Sequence, residues 1–587
     1  MNYQLCENLA SLFFDQAVAS GEKPFLWSKK DGVYRSWTWR HVAETVSELS
    51  RGLRIAGIGP GDRVALVSEN RPEWVIADIA IMAAGAVTVP AYVTNTSDDH
   101  YHILSHSGAK AAIVSSSALA ERLMPAAARA DALQFVVSMS PISVDAEVPV
   151  KTWDEVCRQG REKPDDVAET VAKLGRQDLA CLIYTSGTGG RPKGVMLSHR
   201  AILCNVGGAH GVLAELGLGD EVFLSILPLS HAYEHTAGLF FPIAIGAQIY
   251  FAEGVDTVAA NLLEARPTIM CCVPRLYETM RQRILAGVRR AGGGRAKLFY
   301  AALDLGLQKI DSTKRLALHE RIVDFAVERL VRDKVRARFG GRLRAMVSGG
   351  AALNYDVGAF FVALGLRVLQ GYGQTEAAPV VTCNRAERVK LRSVGQPIAG
   401  AEIKLADDGE ILVRGELLMD GYWNDTEATA AALDGGWLHT GDVGVIDDDG
   451  FLTITDRKKD IIVNSGGDNI APQRVEGILA LEPEIAQAMV YGDGRAHMVA
   501  LLVAEGAGDS SEEMREKLAA AVERANAKLS IIEKVKRFAI ADEPFSVANG
   551  EMTPTLKVRR HAVIARYGDV LRGLYGSRTS PSPETPR

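Results

Sequence analysis

The chain has 587 residues, of which 47% are hydrophobic and 24% are charged, and its formal net charge is −6. This length exceeds a single hydrophobic core, and the composition is that of a soluble globular enzyme rather than of a protein that coats nucleic acid. No run approaches the roughly 20 apolar residues that span a bilayer, and the N-terminus lacks the features of a signal peptide. The seven cysteines form no Cys-x-x-Cys pair, which predicts reduced thiols in a cytoplasmic protein.

The first part of the chain alternates strand-like and helix-like segments. Residues 63–68 are an apolar strand, Pro72 stands where a helix would begin, and residues 87–89 form the next strand. This βαβ rhythm predicts a layered α/β domain. A polar turn at residues 447–450 is predicted to separate this body from a smaller C-terminal part.

A loop rich in glycine and hydroxyl side chains follows the apolar residues 179–183. It reads Tyr184-Thr-Ser-Gly-Thr-Gly-Gly-Arg-Pro-Lys-Gly-Val195, and a buried strand that runs into such a loop presents backbone N–H groups to phosphate. It is not a Walker P-loop, because Lys193 is followed by Gly194 rather than by Ser or Thr. The string closely resembles the signature of the AMP-forming adenylating enzymes, the superfamily of acyl-CoA synthetases, luciferases and adenylation domains. The resemblance implies that ATP phosphates are held by Thr185, Ser186, Gly187, Thr188, Gly189, Gly190 and Lys193, with Gly189 in place of a more usual Thr or Ser.

More motifs follow in the order and spacing of that superfamily. In the motif at residues 371–376, the resemblance assigns Gly371, Tyr372 and Gly373 to the adenine site, Thr375 to the α-phosphate and Glu376 to Mg²⁺. The companion wall of the adenine pocket would be Gly349, Gly350 and Ala351, where missing side chains let a ring lie against backbone. Asp442 resembles the carboxylate that accepts both ribose hydroxyls, and Arg457 resembles a nucleotide contact.

The C-terminal motifs complete the resemblance. Lys459 falls at the hinge position, and Ser465, Gly466 and Gly467 correspond to the residues that line the thiol tunnel of relatives. Lys557 corresponds to the lysine that bridges carboxylate and phosphate oxygens during adenylation. The catalytic set implied for this chain is therefore Lys557 together with Thr185, Lys193 and Glu376.

The resemblance also implies a domain plan. Residues 1–455 would form a large domain of layered α/β sheets with a small β-barrel-like subdomain, and residues 456–460 a hinge. Residues 461–575 would form a small, mobile α+β domain, in which Ser510 and Glu513 cap a helix. The apolar face of that helix would consist of Met514, Leu518, Val522, Ala525 and Leu529. Residues 576–587 have no apolar residue to bury and are predicted to be disordered.

The predicted activity is a two-step ligation in which a carboxylic acid and ATP give an acyl-adenylate, and the thiol of coenzyme A then displaces AMP. Residues 227–238 and 273–278 resemble the long-chain fatty acyl-CoA synthetase branch, with His231 and His235 expected in the wall of the acyl pocket. Two alternatives stay open: an adenylating enzyme that passes the acyl group to a carrier protein or amine, and a non-catalytic lipid- or nucleotide-binding relative. ATP, Mg²⁺, CoA and a long-chain fatty acid are the expected ligands.

Charge is unevenly distributed along the chain. Residues 281–344 hold 17 Lys or Arg against 6 Asp or Glu, which fits a solvated helix surface, an anionic membrane surface or the phosphates of a bulky cofactor. If the membrane interpretation holds, this cytoplasmic protein also makes peripheral contact with an anionic membrane. The residues expected to bind the lipid headgroups are Arg332, Lys334, Arg336 and Arg338. Nucleic acid is not expected as a partner, and a homodimer is one possible oligomeric state.

Overall fold

The computed structural model of the chain describes residues 6–143, 147–185, 191–310, 316–458, 460–505, 512–553 and 556–575. In its N-terminal third, strands and helices alternate as predicted. In chain order the elements are α1 (Leu9–Ser20), β1 (Pro24–Lys30), β2 (Val33–Thr38), α2 (Trp39–Ile55), β3 (Arg63–Val67), α3 (Pro72–Ala83), β4 (Val87–Ala91), α4 (Ser97–Ser107), β5 (Ala111–Val114), α5 (Ser117–Ala127), β6 (Phe135–Ser138), β7 (Val150–Thr152), α6 (Trp153–Arg161) and α7 (Val167–Val171). Pro72 occupies the first turn of α3, where its missing N–H has no intrahelical partner to lose.

The middle third carries the glycine-rich loop and the basic segment. Its elements are β8 (Leu179–Thr185), β9 (Lys193–Ser198), α8 (His199–Leu213), β10 (Val222–Ser225), a π-helix (Glu234–Phe240), α9 (Phe241–Ala244), β11 (Gln248–Phe251), α10 (Val258–Ala265), β12 (Ile269–Cys272), α11 (Pro274–Ala291), α12 (Gly293–Ile310), α13 (Leu318–Val327), a second π-helix (Glu328–Arg332) and α14 (Asp333–Arg338).

The following segment is mostly β-structure. Its elements are β13 (Ala345–Ser348), α15 (Tyr355–Ala363), β14 (Val368–Gly373), a 3₁₀ turn (Thr375–Ala377), β15 (Val380–Cys383), β16 (Gln396–Pro397), β17 (Ala401–Leu405), β18 (Glu410–Gly415), β19 (Gly421–Tyr422), α16 (Thr426–Ala432), β20 (Leu433–Asp434), β21 (Trp437–Ile446) and β22 (Leu452–Arg457).

Contacts divide the chain into two compact units, Met1–Ile454 and Thr455–Arg587. In the large unit one sheet has the strand order β16-β15-β14-β13-β12-β10-β11-β1-β2, a second has the order β19-β9-β8-β4-β3-β5-β6-β7, and β17, β18, β21, β20 and β22 form a smaller sheet. The central strands of both large sheets run parallel. One buried cluster joins Leu66 of β3 and Ile249 of β11 to Trp74 of α3 and Val206 of α8. Helices therefore share a core with both sheets, which confirms the layered α/β prediction.

The small unit is an α+β domain with its own core. Its elements are β23 (Ile462–Val463), β24 (Asn469–Ile470), α17 (Pro472–Leu479), β25 (Ile485–Tyr491), β26 (Met498–Ala504), α18 (Glu512–Asn526), β27 (Val535–Ile540) and α19 (Arg560–Gly573). Along β26, Ala500 and Leu502 pack in the cluster that holds α18, whereas Leu501 and Val503 pack in the cluster that holds α19. Successive side chains of the central strand β26 point to opposite faces of the sheet, so α18 covers one face and α19 covers the other. Of the predicted apolar face, Met514, Leu518, Val522 and Ala525 pack in the first cluster from α18, as expected. Leu529 packs in the same cluster but lies beyond the end of the helix, and Ser510 lies outside the described residues.

Two sequence-based expectations are wrong. Residues 447–450 are a hairpin turn that joins β21 to β22 in one sheet, so they do not separate domains. Arg332 is not on the surface: it is buried, and it donates to the carbonyl oxygens of Ala302 at 2.8 Å and Ala363 at 2.9 Å. Charge counting misplaced it because a guanidinium with enough acceptors can be buried. The predicted tail at residues 576–587 lies outside the described residues.

Candidate active site

The glycine-rich loop is held at both ends by an antiparallel pair of strands. β8 and β9 pair so that Thr185 faces Lys193, and Nε2 of His102 lies 2.9 Å from the carbonyl oxygen of Pro192. Both predicted end residues are therefore fixed at the adjoining ends of two paired strands. The other predicted residues of this loop lie outside the described part of the chain: Ser186, Gly187, Thr188, Gly189 and Gly190.

The side chain of Lys193 is already engaged. Its Nζ lies 3.4 Å from Oδ2 of Asp425 and 5.0 Å from the centre of the Tyr422 ring. A backbone N–H from Ala428 and then the charge of Lys193 lower the pKa of Asp425 below its usual range. Asp425 is therefore anionic at neutral pH and holds the ammonium beside the ring. An incoming phosphate would have to compete with this carboxylate for Lys193.

Tyr422 also connects this lysine to the predicted metal ligand. Its hydroxyl donates to Oε1 of Glu376 at 2.9 Å. Burial, followed by the negative charge of Glu376, raises the pKa of the phenol well above its usual value, so it remains a donor. β19 positions the ring by pairing Tyr422 with Val195 of β9. Tyr422 thus contacts a cation through its ring and a carboxylate through its hydroxyl.

Sequence reasoning missed Tyr422 and Asp425. The only local signal is that Asp425 precedes Thr426-Glu427, which is typical of a helix N-cap, and Asp425 does cap α16. Their contacts with Lys193 and Glu376 join residues far apart in the chain, which no local pattern specifies.

The donor set around Glu376 fits Mg²⁺. Magnesium is usually held by one or two carboxylates together with substrate phosphates, not by an all-protein cage. Within the described ranges no group of three or more His, Cys, Asp or Glu side chains could hold a metal ion. A half-buried carboxylate with the phosphate-loop lysine nearby on the other side of Tyr422 is consistent with this mode of binding.

The predicted adenine and ribose contacts meet each other. The hydroxyl of Tyr372 donates to Oδ2 of Asp442 at 2.7 Å, which ties β14 to β21. Asp442 is buried, and its backbone N–H donates to Oγ1 of Thr440 at 3.1 Å. Tyr372 therefore orients the carboxylate that is expected to accept the ribose hydroxyls.

Glycines in the two nucleotide motifs are needed for space or conformation. A Cβ at Gly373 would lie 1.8 Å from the carbonyl oxygen of Pro379, and Gly350 has a φ of +82°. The backbone N–H of Gly349 donates to Cys272, which joins this wall to β12. The remaining predicted residues here are Gly371 in β14, Ala351 on an exposed turn, and Thr375, which is buried.

Within the small unit the predicted residues lie at a strand end, in a turn and in an irregular segment. Arg457 is half-buried at the end of β22. Ser465, Gly466 and Gly467 form the exposed turn between β23 and β24, where Gly467 has a φ of +86°. Lys557 is exposed, and its backbone N–H donates to Oγ1 of Thr553 at 3.1 Å. Lys459 lies outside the described residues.

An apolar cavity opens next to the adenine wall of the large unit. Its cavity volume is about 40 Å³, and it is lined by α8, the first π-helix and the strands of the nine-stranded sheet. Its lining residues are Ala209, Val212, Leu213, Phe223, Tyr233, Ala237, Phe241, Ile269, Cys271, Val347, Val380, Cys383 and Ile398. A Cβ at Gly349 would lie 3.0 Å from the ring of Tyr233, so this tyrosine separates the cavity from the glycine wall.

The two histidines expected in the acyl wall are not among the lining residues, all of which belong to the described part of the chain. His235 is fully buried elsewhere in the core, with Nε2 2.8 Å from Oδ2 of Asp78 and its ring edge-on to Trp74. The π-helix turns His235 toward α3 and leaves Ala237 facing the cavity. His231 accepts a hydrogen bond from the backbone N–H of Tyr233 at 3.2 Å through Nδ1.

Glu234, at the start of the same π-helix, gives a pH-dependent prediction. It is fully buried, and burial raises its pKa from 4.5 to about 8. At pH values between these two pKa values, Glu234 keeps its proton in the folded chain and has lost it in the unfolded chain. The free energy of unfolding therefore falls as pH rises, by at most about 1.4 kcal/mol per pH unit. Glu234→Gln should remove this component, which thermal melts from about pH 5 to about pH 8 would detect. The exposed Glu7→Gln variant is the control, and equal pH slopes for Glu234→Gln and the parent chain would contradict the prediction.

Comparison with known proteins gives the family. Residues 13–423 match the family of AMP-binding enzymes, and residues 459–579 match the AMP-binding enzyme C-terminal domain. The chain is 32% identical to the long-chain-fatty-acid–CoA ligase FadD15 of Mycobacterium tuberculosis over 97% of both chains. It is 30% identical to the peroxisomal long chain acyl-CoA synthetase 7 of Arabidopsis thaliana, over 94% of this chain and 84% of that one.

A solved structure shows the same fold. The A domain of the carboxylic acid reductase from Segniliparus rugosus, in complex with AMP and a co-purified carboxylic acid, superposes with a TM-score of 0.79 at 22% identity. The match covers 97% of this chain and 94% of that one. Together with the matched motifs and the full-length relatives, this shows that the chain belongs to the family of AMP-binding, adenylate-forming enzymes.

Proposed function

We propose that this chain is an AMP-forming long-chain fatty acid–CoA ligase. Relatives that carry this activity in their names align over nearly the whole chain, including both matched domains. The observation that carries the choice of acid is the apolar cavity, whose lining contains no charged side chain to pair with a polar substrate tail. The cavity volume is about 40 Å³, so its apolar walls would have to move apart to admit a long acyl chain, whose carboxylate would lie near Tyr233.

In the first half-reaction the fatty acid carboxylate attacks the α-phosphate of ATP and pyrophosphate leaves. Negative charge spreads over the transferring group, so the main work of the protein is positioning and charge stabilisation. We assign the β- and γ-phosphates to Lys193 and the loop after Thr185, and the α-phosphate region to Thr375 and Lys557. Glu376 would hold Mg²⁺, which supplies positive charge to the phosphate oxygens when bound.

In the second half-reaction the thiol of CoA attacks the acyl carbonyl carbon, the thioester forms, and AMP leaves. We assign the thiol path to the exposed turn of Ser465, Gly466 and Gly467, where small residues leave room for an extended ligand. Lys557 would serve the first half-reaction only. Asp442 and Tyr372 would hold the ribose and adenine through both steps.

The location proposed for the enzyme is the cytoplasm. All seven cysteines lie in described residues and are free thiols, as expected in a reducing compartment. In the described part of the chain, no helix is long and apolar enough to cross a membrane.

Product analysis tests the function directly. The protein is incubated with ATP, Mg²⁺ and palmitate, and either CoA or hydroxylamine is added as the acceptor. We expect palmitoyl-CoA, AMP and pyrophosphate, with CoA required for rapid turnover. Hydroxamate formation with no thioester would indicate transfer to an amine or carrier, and the absence of any product would indicate a non-catalytic relative.

The cavity assignment predicts a change in chain-length preference. Ala237→Phe adds a ring to the lining of the cavity, so the KM for palmitate should rise by about tenfold or more, since each methylene that loses its place costs about 0.8 kcal/mol. Turnover of butyrate by the same variant is the control, because a short chain does not reach the added ring. An equal loss on both acids would place the acyl chain elsewhere.

A further inference from the structure

Helix α13 exposes large apolar side chains along one face. The exposed fractions are 76% for Leu318, 67% for Ile322 and 77% for Phe325. Spacings of four and three residues place these side chains in one row. Val323 and Leu330, exposed at 43% and 49%, widen the row. A contiguous group of this kind on a folded domain marks a contact surface.

The opposite face of this segment is firmly anchored in the large unit. Val327 is fully buried, and the buried Arg332 forms an ion pair with Asp324 at 2.7 Å. Arg332 also donates to main-chain carbonyls of α12 and α15. The apolar row is therefore held outward by a fixed scaffold and does not result from a poorly packed end.

The charges around the row are sorted by sign. Three acidic side chains form ion pairs within the segment and with α12: Asp324 with Lys309 and Arg332, Glu328 with Arg332 and Arg336, and Asp333 with Arg336. Arg321, Arg329 and Lys334 are exposed, and none of them has an ion-pair partner among the residues the structure describes. Arg321 lies three residues after Leu318 and four before Phe325, so it shares their face. The outward charge beside the apolar row is thus positive.

We propose that the α13 face, defined by Leu318, Arg321, Ile322 and Phe325 of α13 and Arg329 of the π-helix that follows it, docks on an anionic lipid bilayer. The apolar side chains would enter the boundary between headgroups and acyl chains, and the arginines would pair with lipid phosphates. The defined face contains no acidic side chain, so the same face of a second copy would offer its arginines no ion-pair partner, which disfavours self-association. The proposal does not depend on the ligase function, because binding is measured without ATP, CoA or free fatty acid.

Vesicle sedimentation of the full chain tests the proposal. The triple variant Leu318→Gln, Ile322→Gln and Phe325→Gln keeps helix-favouring residues but removes the apolar row. Its partitioning onto phosphatidylcholine–phosphatidylglycerol vesicles should fall by about tenfold or more. The matched control is Val18→Gln with Ile531→Gln, since these side chains are 86% and 83% exposed elsewhere on the chain. The control should bind like the parent protein.

A charge variant separates the two components of binding. Arg321→Gln with Arg329→Gln should weaken binding to anionic vesicles by about fivefold for each arginine at low salt and reduce its salt dependence. Binding to pure phosphatidylcholine vesicles should change little. Equal losses on both vesicle types would contradict the assignment of the arginines to lipid phosphates.

Several outcomes would overturn the lipid proposal. The parent protein could fail to bind anionic vesicles at low salt, or the triple variant could bind as the parent does. A concentration-dependent dimer that the triple variant abolishes would assign the face to a second copy instead. If the triple variant does not fold, Phe325→Trp provides a second measurement. Its emission should shift to the blue on addition of vesicles, and an unchanged spectrum would count against the proposal.

Discussion

Lys557→Ala should reduce acyl-adenylate formation by a factor on the order of 10²–10³, as expected when one group that stabilises transition-state charge is deleted. The reason is that negative charge develops on the α-phosphate while the fatty acid carboxylate attacks it, and the proposed role of Lys557 is to bridge these oxygens. Thioester formation from a supplied acyl-adenylate and CoA should be nearly unchanged, because that step needs no cation at this position. Pyrophosphate exchange measures the first step and palmitoyl-CoA release measures the second.

The matched control for this variant is Lys536→Ala, which removes another exposed lysine from the small unit. Both half-reactions should retain their parent rates in the control. If both fall together in Lys557→Ala, the lysine is not confined to adenylation, and its assignment to the first half-reaction is wrong.

Glu376→Gln should lower the rate of adenylation by about 10²-fold and raise the Mg²⁺ concentration needed for half-maximal rate, because a neutral amide replaces the proposed metal-binding carboxylate. Tyr422→Phe removes only the hydrogen bond to Glu376 and keeps the ring beside Lys193. A hydrogen bond to a charged acceptor contributes about 1.5–3 kcal/mol. Glu376 is half-buried and water can replace the lost hydroxyl, so the loss should be about tenfold, at the lower end of this range.

The informative result is which of the two variants, Glu376→Gln or Tyr422→Phe, loses more of its adenylation rate. A Tyr422→Phe variant as impaired as Glu376→Gln would mean that the hydroxyl does more than orient the carboxylate. An unchanged Mg²⁺ dependence in Glu376→Gln would move the metal site to other residues. Thermal melts of both variants show whether the fold is retained.

Local patterns predicted the elements and much of the candidate site. The strand–helix–strand sequence of β3, α3 and β4 follows from one apolar run, a proline at the helix start and a second apolar run. The buried face of α18 follows from helical spacing alone. Two pairs of predicted nucleotide residues meet in the structure: Thr185 faces Lys193 on paired strands, and Tyr372 of β14 donates to Asp442 of β21, a strand of another sheet.

Long-range packing decided which charged side chains are buried and where the predicted histidines lie. Net charge could not show that Arg332 is buried while Arg321 and Arg329 stay exposed, since burial depends on which carbonyls and carboxylates surround a guanidinium. Nor could spacing show that a π-helix turns His235 into the core.

By itself, the sequence determined the family, the α/β architecture and the residues that could take part in binding or catalysis. Motifs and periodicities are local properties of the chain and can be seen without the fold. Only the tertiary structure decided that Tyr422 lies between Lys193 and Glu376, that an apolar cavity adjoins Gly349, and that α13 carries an uncovered apolar face. Each of these depends on contacts between residues tens to hundreds of positions apart, and the free energy of such contacts is set by packing and desolvation rather than by neighbours in sequence.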